Sequence, residues 1–372
     1  MDLMKLKSVS RWWMLFAATI LSLLFLLVPD SHMQRVEPYD GGDYEHWMRD
    51  TIRLDHPIAE IALPGAHDAF TSNFTWGSPA DPGMAKQGDT VATLASSPLS
   101  FLYRGLLIRY AKTQTSSLEA MLTHGVRYFD VRLSWTDQGF MTTHGFLGEP
   151  LAPLLSTFHQ FLENHPGEII IFHLQHLFDV REPDGIPSAA TWLDLQTVFE
   201  ASGLMNYVES NPSTPLPSIT YGDLTANRTQ AAFLRIGDNR GTAPESTWRA
   251  GPTFLRSTWH NTIHTDNLLS GIREETATIL ATTGAFHSQF RVLQGQKTAQ
   301  LNASGAFATL ASWSLLDVAY HGNPLVTAMP EFQEILHATP IVMFDAIDDN
   351  RAHHYESLMT ALFTHNETYP LE

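Results

Sequence analysis

The chain has 372 residues, 44% of them hydrophobic and only 16% charged, which suits a folded protein with a sizeable core and excludes a disordered one. A formal net charge of −17, from 22 Lys plus Arg against 39 Asp plus Glu, leaves no basic surplus for a nucleic-acid-binding face. Cysteine is absent, so disulfides, thiolate catalysis and Cys-ligated zinc are excluded.

In chain order, Lys5, Lys7 and Arg11 precede the apolar run WWMLFAATILSLLFLLV. This pattern predicts a cytoplasmic n-region over 1–11 and a signal-anchor transmembrane helix over 12–28. No small-x-small cleavage site follows, so the anchor is expected to stay, with the remainder periplasmic, extracellular or lumenal. If the segment were cleaved the protein would be secreted. Residues 29–50 read as a linker and 51–372 as one catalytic domain.

PIAEIAL reads as a strand running into Pro64-Gly65, and the Gly-, Ser- and Pro-rich stretch 69–100 as a long active-site loop. Phe70, Phe74 and Trp76 in that loop are equally candidates for contact with a bilayer and for burial. TSSLEAMLTHG is a helix ending at Gly125, VRYFDVRL the next strand, and a third, short strand ends at TTHG. APLLSTFHQFLENHPGE is an amphipathic helix stopped by Pro166-Gly167, and IIIFHLQHLF a buried strand. The rhythm continues with TWLDLQTVFEASG (helix), AAFLRIGD and TFLRSTWH (strands), and DNLLSGIREETATILATTG (helix). EFQEILHA (helix), PIVMFDAIDD (strand) and AHHYESLMTALFTH (helix) close the chain. Alternation of helices with continuously apolar strands predicts an α/β fold with a parallel sheet covered by helices. Roughly seven or eight such units on one undivided chain predict a single distorted TIM-type (β/α)8 barrel. The alternative is a doubly wound sheet, for which no Gly-rich nucleotide fingerprint is present.

A β/α barrel carries its chemistry at the C-terminal ends of its strands. Those ends hold His67 and Asp68, Asp130 and Arg132, His144, His173 and Gln175, Arg235 and Asp238, Arg256, Trp259 and His260, and Asp345. Two histidines, several carboxylates and an arginine converging from separate strands point to acid–base chemistry. Asp130 and Arg132 are two apart on a strand and so share a face, either pairing with each other or facing the site. His159, His165, His353 and His354 read as solvated, and Asp348 and Asp349 as a cap before the last helix.

LPGAHDAF, VRYFDVRL, TTHG and FLENHPGEIIIF, in that order over about Ile58 to Phe172, resemble the X domain of phosphatidylinositol-specific phospholipases C. The pattern is most similar to the bacterial and X-domain-containing branch, and the terminal PIVMFDAIDD fits the end of that fold. The resemblance implies attack by an inositol 2-hydroxyl on its own phosphodiester, giving a cyclic phosphate and releasing diacylglycerol. His67 would be the general base and His144 the general acid. Arg132 would lie against the phosphate oxygens, Asp68 and Asp130 would orient these groups, and Asp345 would support one histidine. Calcium-using relatives place a Glu-x-Asp pair on this strand. Here it is Asp130-Val131-Arg132, so no metal and no cofactor are expected. Gln175 stands where bacterial relatives carry a lysine, and Gln175, Arg235 and Trp259 are the candidate substrate contacts. The implied partner is a phospholipid at a membrane surface, with no nucleic acid and no protein partner. Two alternatives are a different phospholipid or glycosylated inositol lipid as substrate, and a catalytically silent lipid-binding barrel.

Overall fold

The structure is a computed structural model that describes residues 43–208, 216–235, 249–250, 255–282, 289–300, 305, 309, 312–349, 351 and 353–369. The expected n-region, the anchor and most of the linker lie outside the described residues. Among the described residues, no helix is long and apolar enough to cross a membrane.

Among the described residues ten strands are formed: β1 (Leu63–Ala66), β2 (Tyr128–Thr136), β3 (Gly139–Thr143), β4 (Leu147–Pro150), β5 (Ile170–Asp179), β6 (Ala231–Arg235), β7 (Arg249–Ala250), β8 (Leu255–Thr258), β9 (Phe290–Gln294) and β10 (Ile341–Phe344). Eight of them lie in the order β7-β6-β5-β2-β1-β10-β9-β8, and every pairing along that path is parallel. Strands successive along this parallel path are spatial neighbours, and β1 pairs with both β2 and β10. All eight strands therefore deliver their C-terminal ends to the same edge. The short strand ending at TTHG departs from expectation. It is β3, antiparallel to β2, with Thr136 paired to Gly139 across a two-residue turn. So short a connection cannot make a parallel crossover, which needs a dozen residues or more.

Both faces of the parallel sheet are covered, which is why its strands are apolar almost throughout. On β5, Ile170, Ile171, Phe172 and Leu174 are all buried. Phe158, from helix Leu151–Asn164, packs edge-on against Phe129 at 5.0 Å and Phe172 at 6.1 Å between ring centroids. Burying each such side chain contributes about 1.5–3 kcal/mol. At the opposite edge, where the strands begin, the polar groups form closed ion pairs. Arg127 meets Glu168 at 2.8 Å and Arg291 meets Glu60 at 2.5 Å, all four buried. Glu168 also accepts from the backbone of Met48 and Arg49 at 3.1 and 3.2 Å, docking helix Trp47–Thr51.

Stretch 69–100 contains more structure than a loop. Asp81 and Asp89 cap the short helices Pro82–Lys86 and Thr90–Ala95, accepting from the backbone of Gly83 and Ala92. Helix Arg104–Ala111 then leads back to the sheet. Of the three aromatics in this stretch, Phe70 and Phe74 are core residues, Phe70 stacking on Phe129 at 6.0 Å, and Trp76 is exposed.

Candidate active site

The site is built where β1 ends. His67 donates its backbone N–H to Phe344 of β10 at 3.0 Å, and the chain then turns through positive φ at Asp68 (41°) and Phe70 (70°). Non-glycine residues pay strain for such angles, and contacts must hold them there. Here Asp130 of β2 holds them. Its backbone carbonyl accepts from Ala69 N–H at 2.8 Å, and its Oδ2 accepts from Asp68 N–H at 3.2 Å.

The His67 ring is thereby clamped between carboxylates. Its Nδ1 donates to Asp345 Oδ1 at 2.6 Å, while Nε2 lies 3.4 Å from Asp68 Oδ2 and 3.9 Å from Asp130 Oδ2. Burial alone would lower its pKa, but the charges of Asp68 and Asp345, the Asp345 hydrogen bond and Asp130 outweigh it and raise it to about 9. Asp345 is held in turn by Asn323, whose Nδ2–H donates to the Asp345 carbonyl at 2.7 Å.

His144 reaches the same place from the β3–β4 turn. Its Nε2 is 3.3 Å from Asp68 Oδ2, the oxygen that faces His67, and its Nδ1 is 2.7 Å from the carbonyl of Ala111. A carbonyl only accepts, so Nδ1 carries a hydrogen and Nε2 is the atom free to exchange a proton. Arg132 pairs through Nε with the other Asp68 oxygen, Oδ1, and also donates to Gln175 Oε1 at 2.9 Å. Burial would raise both acids. At Asp68, Arg132, His144 and His67 overcome it and hold the carboxyl below its usual range, whereas at Asp130 burial and the Asp68 charge prevail and push it up.

Beneath these groups His173 is buried, its Nδ1 hydrogen-bonded to the Tyr128 hydroxyl at 2.6 Å and 3.9 Å from Asp130 Oδ1. Burial, with His176 and Arg132 adding repulsion, lowers its pKa to about 3, so it is a neutral support. His67, Asp68 and Asp130 present ligand atoms within 4.8 Å of one another. One of these is a ring nitrogen and Asp68 already carries the Arg132 guanidinium, a poor match to the six to eight oxygens that calcium takes.

His67, Asp68, Asp130, Arg132, His144 and Asp345 thus meet in one cluster, with Gln175 attached through Arg132. Trp259 lies just past β8, 57% exposed, donating from Nε1 to Thr298 Oγ1 at 2.8 Å. Arg235 ends β6, opposite Leu174, and its side chain lies outside the described residues, as does Asp238. Arg256 and His260 gather on the buried carboxylate of Glu275 at 3.2 and 3.7 Å. Several polar residues read otherwise in the sequence than they are placed. His354 is fully buried rather than solvated, and His165 is largely buried, stacking on Phe161. Asp349 binds Arg351, Thr115 and Tyr320 instead of capping the last helix, which begins at Tyr355. Asp348 bonds His124 Nδ1 at 2.7 Å.

No sequence pattern singles out Gln114, whose Nε2 donates to the carbonyls of His67 at 2.7 Å and Phe344 at 3.0 Å. The same holds for Asn323 and Ala111. Gln114 and Asn323 donate side-chain amides to backbone carbonyls of the site and Ala111 offers its own carbonyl, contacts that residue type alone does not announce.

No protein-family model matches the chain. Among curated proteins, it is 29% identical over 227 residues to the variant-surface-glycoprotein phospholipase C of Trypanosoma cruzi, covering 58% of this chain and 56% of that one. It is 32% identical over 130 residues to mouse PI-PLC X domain-containing protein 2, covering 34% and 36%. The matched part therefore spans little more than half the length of these relatives at most. Among solved structures, the phosphatidylinositol-specific phospholipase C of Listeria monocytogenes superposes with a TM-score of 0.56 at 17% identity, over 86% of this chain and 99% of that one. A variant of the Staphylococcus aureus enzyme gives 0.57 at 14% identity, over 85% and 96%. These likenesses show that the fold is shared.

Proposed function

From the premise that the chain is a relative of the PI-PLC X-domain proteins, we propose that it is a phosphodiesterase cleaving a phosphatidylinositol-type lipid by attack of the inositol 2-hydroxyl. One observation carries this reading. The Nε2 atoms of His67 and His144 lie 3.4 and 3.3 Å from a single oxygen of Asp68, whose other oxygen holds Arg132. Two proton-transfer groups and a guanidinium thus border one small volume, as cleavage of a phosphodiester requires.

His67, its Nδ1–H held by Asp345, takes the proton of the 2-hydroxyl at Nε2 as the O2–P bond forms. The bond from phosphorus to the glycerol oxygen breaks, and His144 delivers the proton on Nε2 to that leaving oxygen. Arg132 offsets the charge on the non-bridging oxygens. The cluster of Asp68, Asp130 and Asp345 favours the imidazolium, so the base form of His67 is reached on the alkaline side. Since the attacking hydroxyl is part of the substrate, most of the advantage comes from orientation, worth about 7–11 kcal/mol in well-aligned cases.

We read the parallel path as a distorted (β/α)8 barrel, with no pairing of β7 to β8 among the described residues, a reading supported by the strand order and by β1 lying beside β10. The basic flank and apolar run over 1–28 support an extracytoplasmic catalytic unit over 51–372 that meets phospholipid at a membrane surface. The donor set around Asp68, with Arg132 in place, supports turnover without a metal. Gln175, Arg235 and Trp259 remain the proposed headgroup contacts.

Phosphorus NMR on phosphatidylinositol vesicles tests the reading. A transient cyclic phosphodiester resonance is expected from the wild type, equally with and without chelator, and from neither His67→Ala nor His144→Ala. Full turnover by both variants, or loss with chelator restored by calcium, sinks it.

A further inference from the structure

His144 sits in a turn that its own sheet holds poorly. The β3–β4 pairing shifts register between Met141 and Thr143, and Gly145 has a φ of 77°. The ladder that aims most strand-end residues is therefore broken just before His144. Within the hairpin His144 N–H donates to the Phe146 carbonyl at 3.2 Å, and further support comes from outside it. Asp81, fully buried, accepts from Thr143 Oγ1 at 2.6 Å through Oδ2, and from Ser134 Oγ at 3.0 Å and Gly83 N–H at 2.7 Å through Oδ1. Its backbone N–H donates to the Gly145 carbonyl at 3.1 Å. The residues on both sides of His144 are thus tied to one carboxylate residue, which also ties them to β2 through Ser134. Met84, one turn along the helix that Asp81 caps, receives the Gly145 N–H at its sulfur at 3.1 Å. The fit leaves no slack, since a Cβ on Gly145 would lie 2.6 Å from Val91 Cγ1.

We infer that Asp81 is a positioning residue for the proton-donating histidine, fixing the Thr143–Gly145 backbone so that His144 Nε2 meets the leaving oxygen. The Asp81 carboxylate and N–H bond to Thr143, Ser134, Gly83 and Gly145 and not to the rings of His67 or His144. A carboxylate suits the task because it accepts from several donors at once, and burial strengthens each bond. The inference rests on the proposed role of His144, and its test separates the two.

A displacement of about 1 Å costs on the order of 100-fold in rate. A misplaced general acid matters only when the leaving group needs a proton. The probes are an inositol phosphodiester with an alkyl leaving group and its nitrophenyl counterpart, whose leaving oxygen departs unprotonated. Asp81→Asn is expected to lower kcat on the alkyl substrate roughly 10- to 100-fold, change KM less than about threefold, and leave the nitrophenyl substrate within about threefold of wild type. Thr143→Val, which deletes a single donor, is measured beside it and decides the matter if Asp81→Asn does not fold. Equal loss on both substrates, or loss on neither, overturns the inference. His144→Ala is the control. If it fails to show the same leaving-group selectivity, the role given to His144 is wrong; if it alone shows it, only the role given to Asp81 is.

Discussion

Asp345→Asn removes one charge and almost no volume, at the shortest contact His67 makes. The rise of the His67 pKa from 6.5 to about 9 corresponds to about 3 kcal/mol in favour of the imidazolium. Asp345 lies at 2.6 Å, against 3.4 and 3.9 Å for Asp68 and Asp130, and it alone faces Nδ1. Its removal should therefore lower the His67 pKa by about 1 to 2, as expected for an opposite charge at hydrogen-bond distance. The asparagine can also turn its amide toward Nδ1, leaving the hydrogen on Nε2 where the base lone pair is needed. The two effects oppose each other. More of the variant's His67 is neutral at pH 7, yet the neutral ring is misdirected, and loss of an oriented general base costs roughly 10²–10⁴ in rate. The assay is kcat/KM on phosphatidylinositol from pH 5 to 10, with a nitrogen-15 NMR titration of the His67 ring. For the wild type, kcat/KM should rise through the neutral range toward pH 9. For Asp345→Asn, the ring should titrate at lower pH with a depressed maximum rate. An unchanged titration, or a rate within about threefold of wild type, would refute the coupling of Asp345 to the base.

Other consequences can be measured separately. Arg132→Lys keeps a charge but not the guanidinium Nε that meets both Asp68 and Gln175, and should lose roughly 10²-fold or more in kcat, with added calcium giving no rescue. The His67 imidazolium contributes stability that is fully present below pH 6.5 and is lost as pH rises through 9, so the stability difference between wild type and His67→Gln should shrink over that window in denaturant titrations. Glu168→Gln at the far edge of the sheet leaves the Arg127 charge buried without its counter-charge, and should cost about 3–5 kcal/mol while the folded fraction keeps its kcat. A drop in kcat per folded molecule would contradict the division between a structural and a chemical edge of the sheet.

Much of the site was legible because its residue types are improbable where they stand. His67 and Asp68 close one apolar strand, Asp130 and Arg132 interrupt another, and Asp345 ends the last. Such groups rarely sit in buried strands unless they meet partners, and a parallel sheet brings strand ends together at one edge. The pairing sense of the short strand before His144 is not legible in its residue types. An apolar segment of a few residues reads the same whether it pairs parallel or antiparallel, and only the length of its connection to β2 decides. The burial of His354 and His165 is not legible either, because exposure depends on which helix face meets the sheet, which a single sequence does not state for isolated polar residues.

The amino-acid sequence by itself determined the α/β alternation, the absence of thiol chemistry and the set of ionisable groups at strand ends, since periodicity and side-chain chemistry are local properties. Tertiary structure decided which histidine meets which carboxylate: Asp345, 278 residues from His67 along the chain, lies 2.6 Å from it, and no spacing rule contains that distance. It also decided that Asp81 serves the His144 turn and that Phe70 and Phe74 belong to the core. These depend on the packing of segments far apart along the chain, where shape and hydrogen-bond satisfaction are settled only once every neighbour is in place.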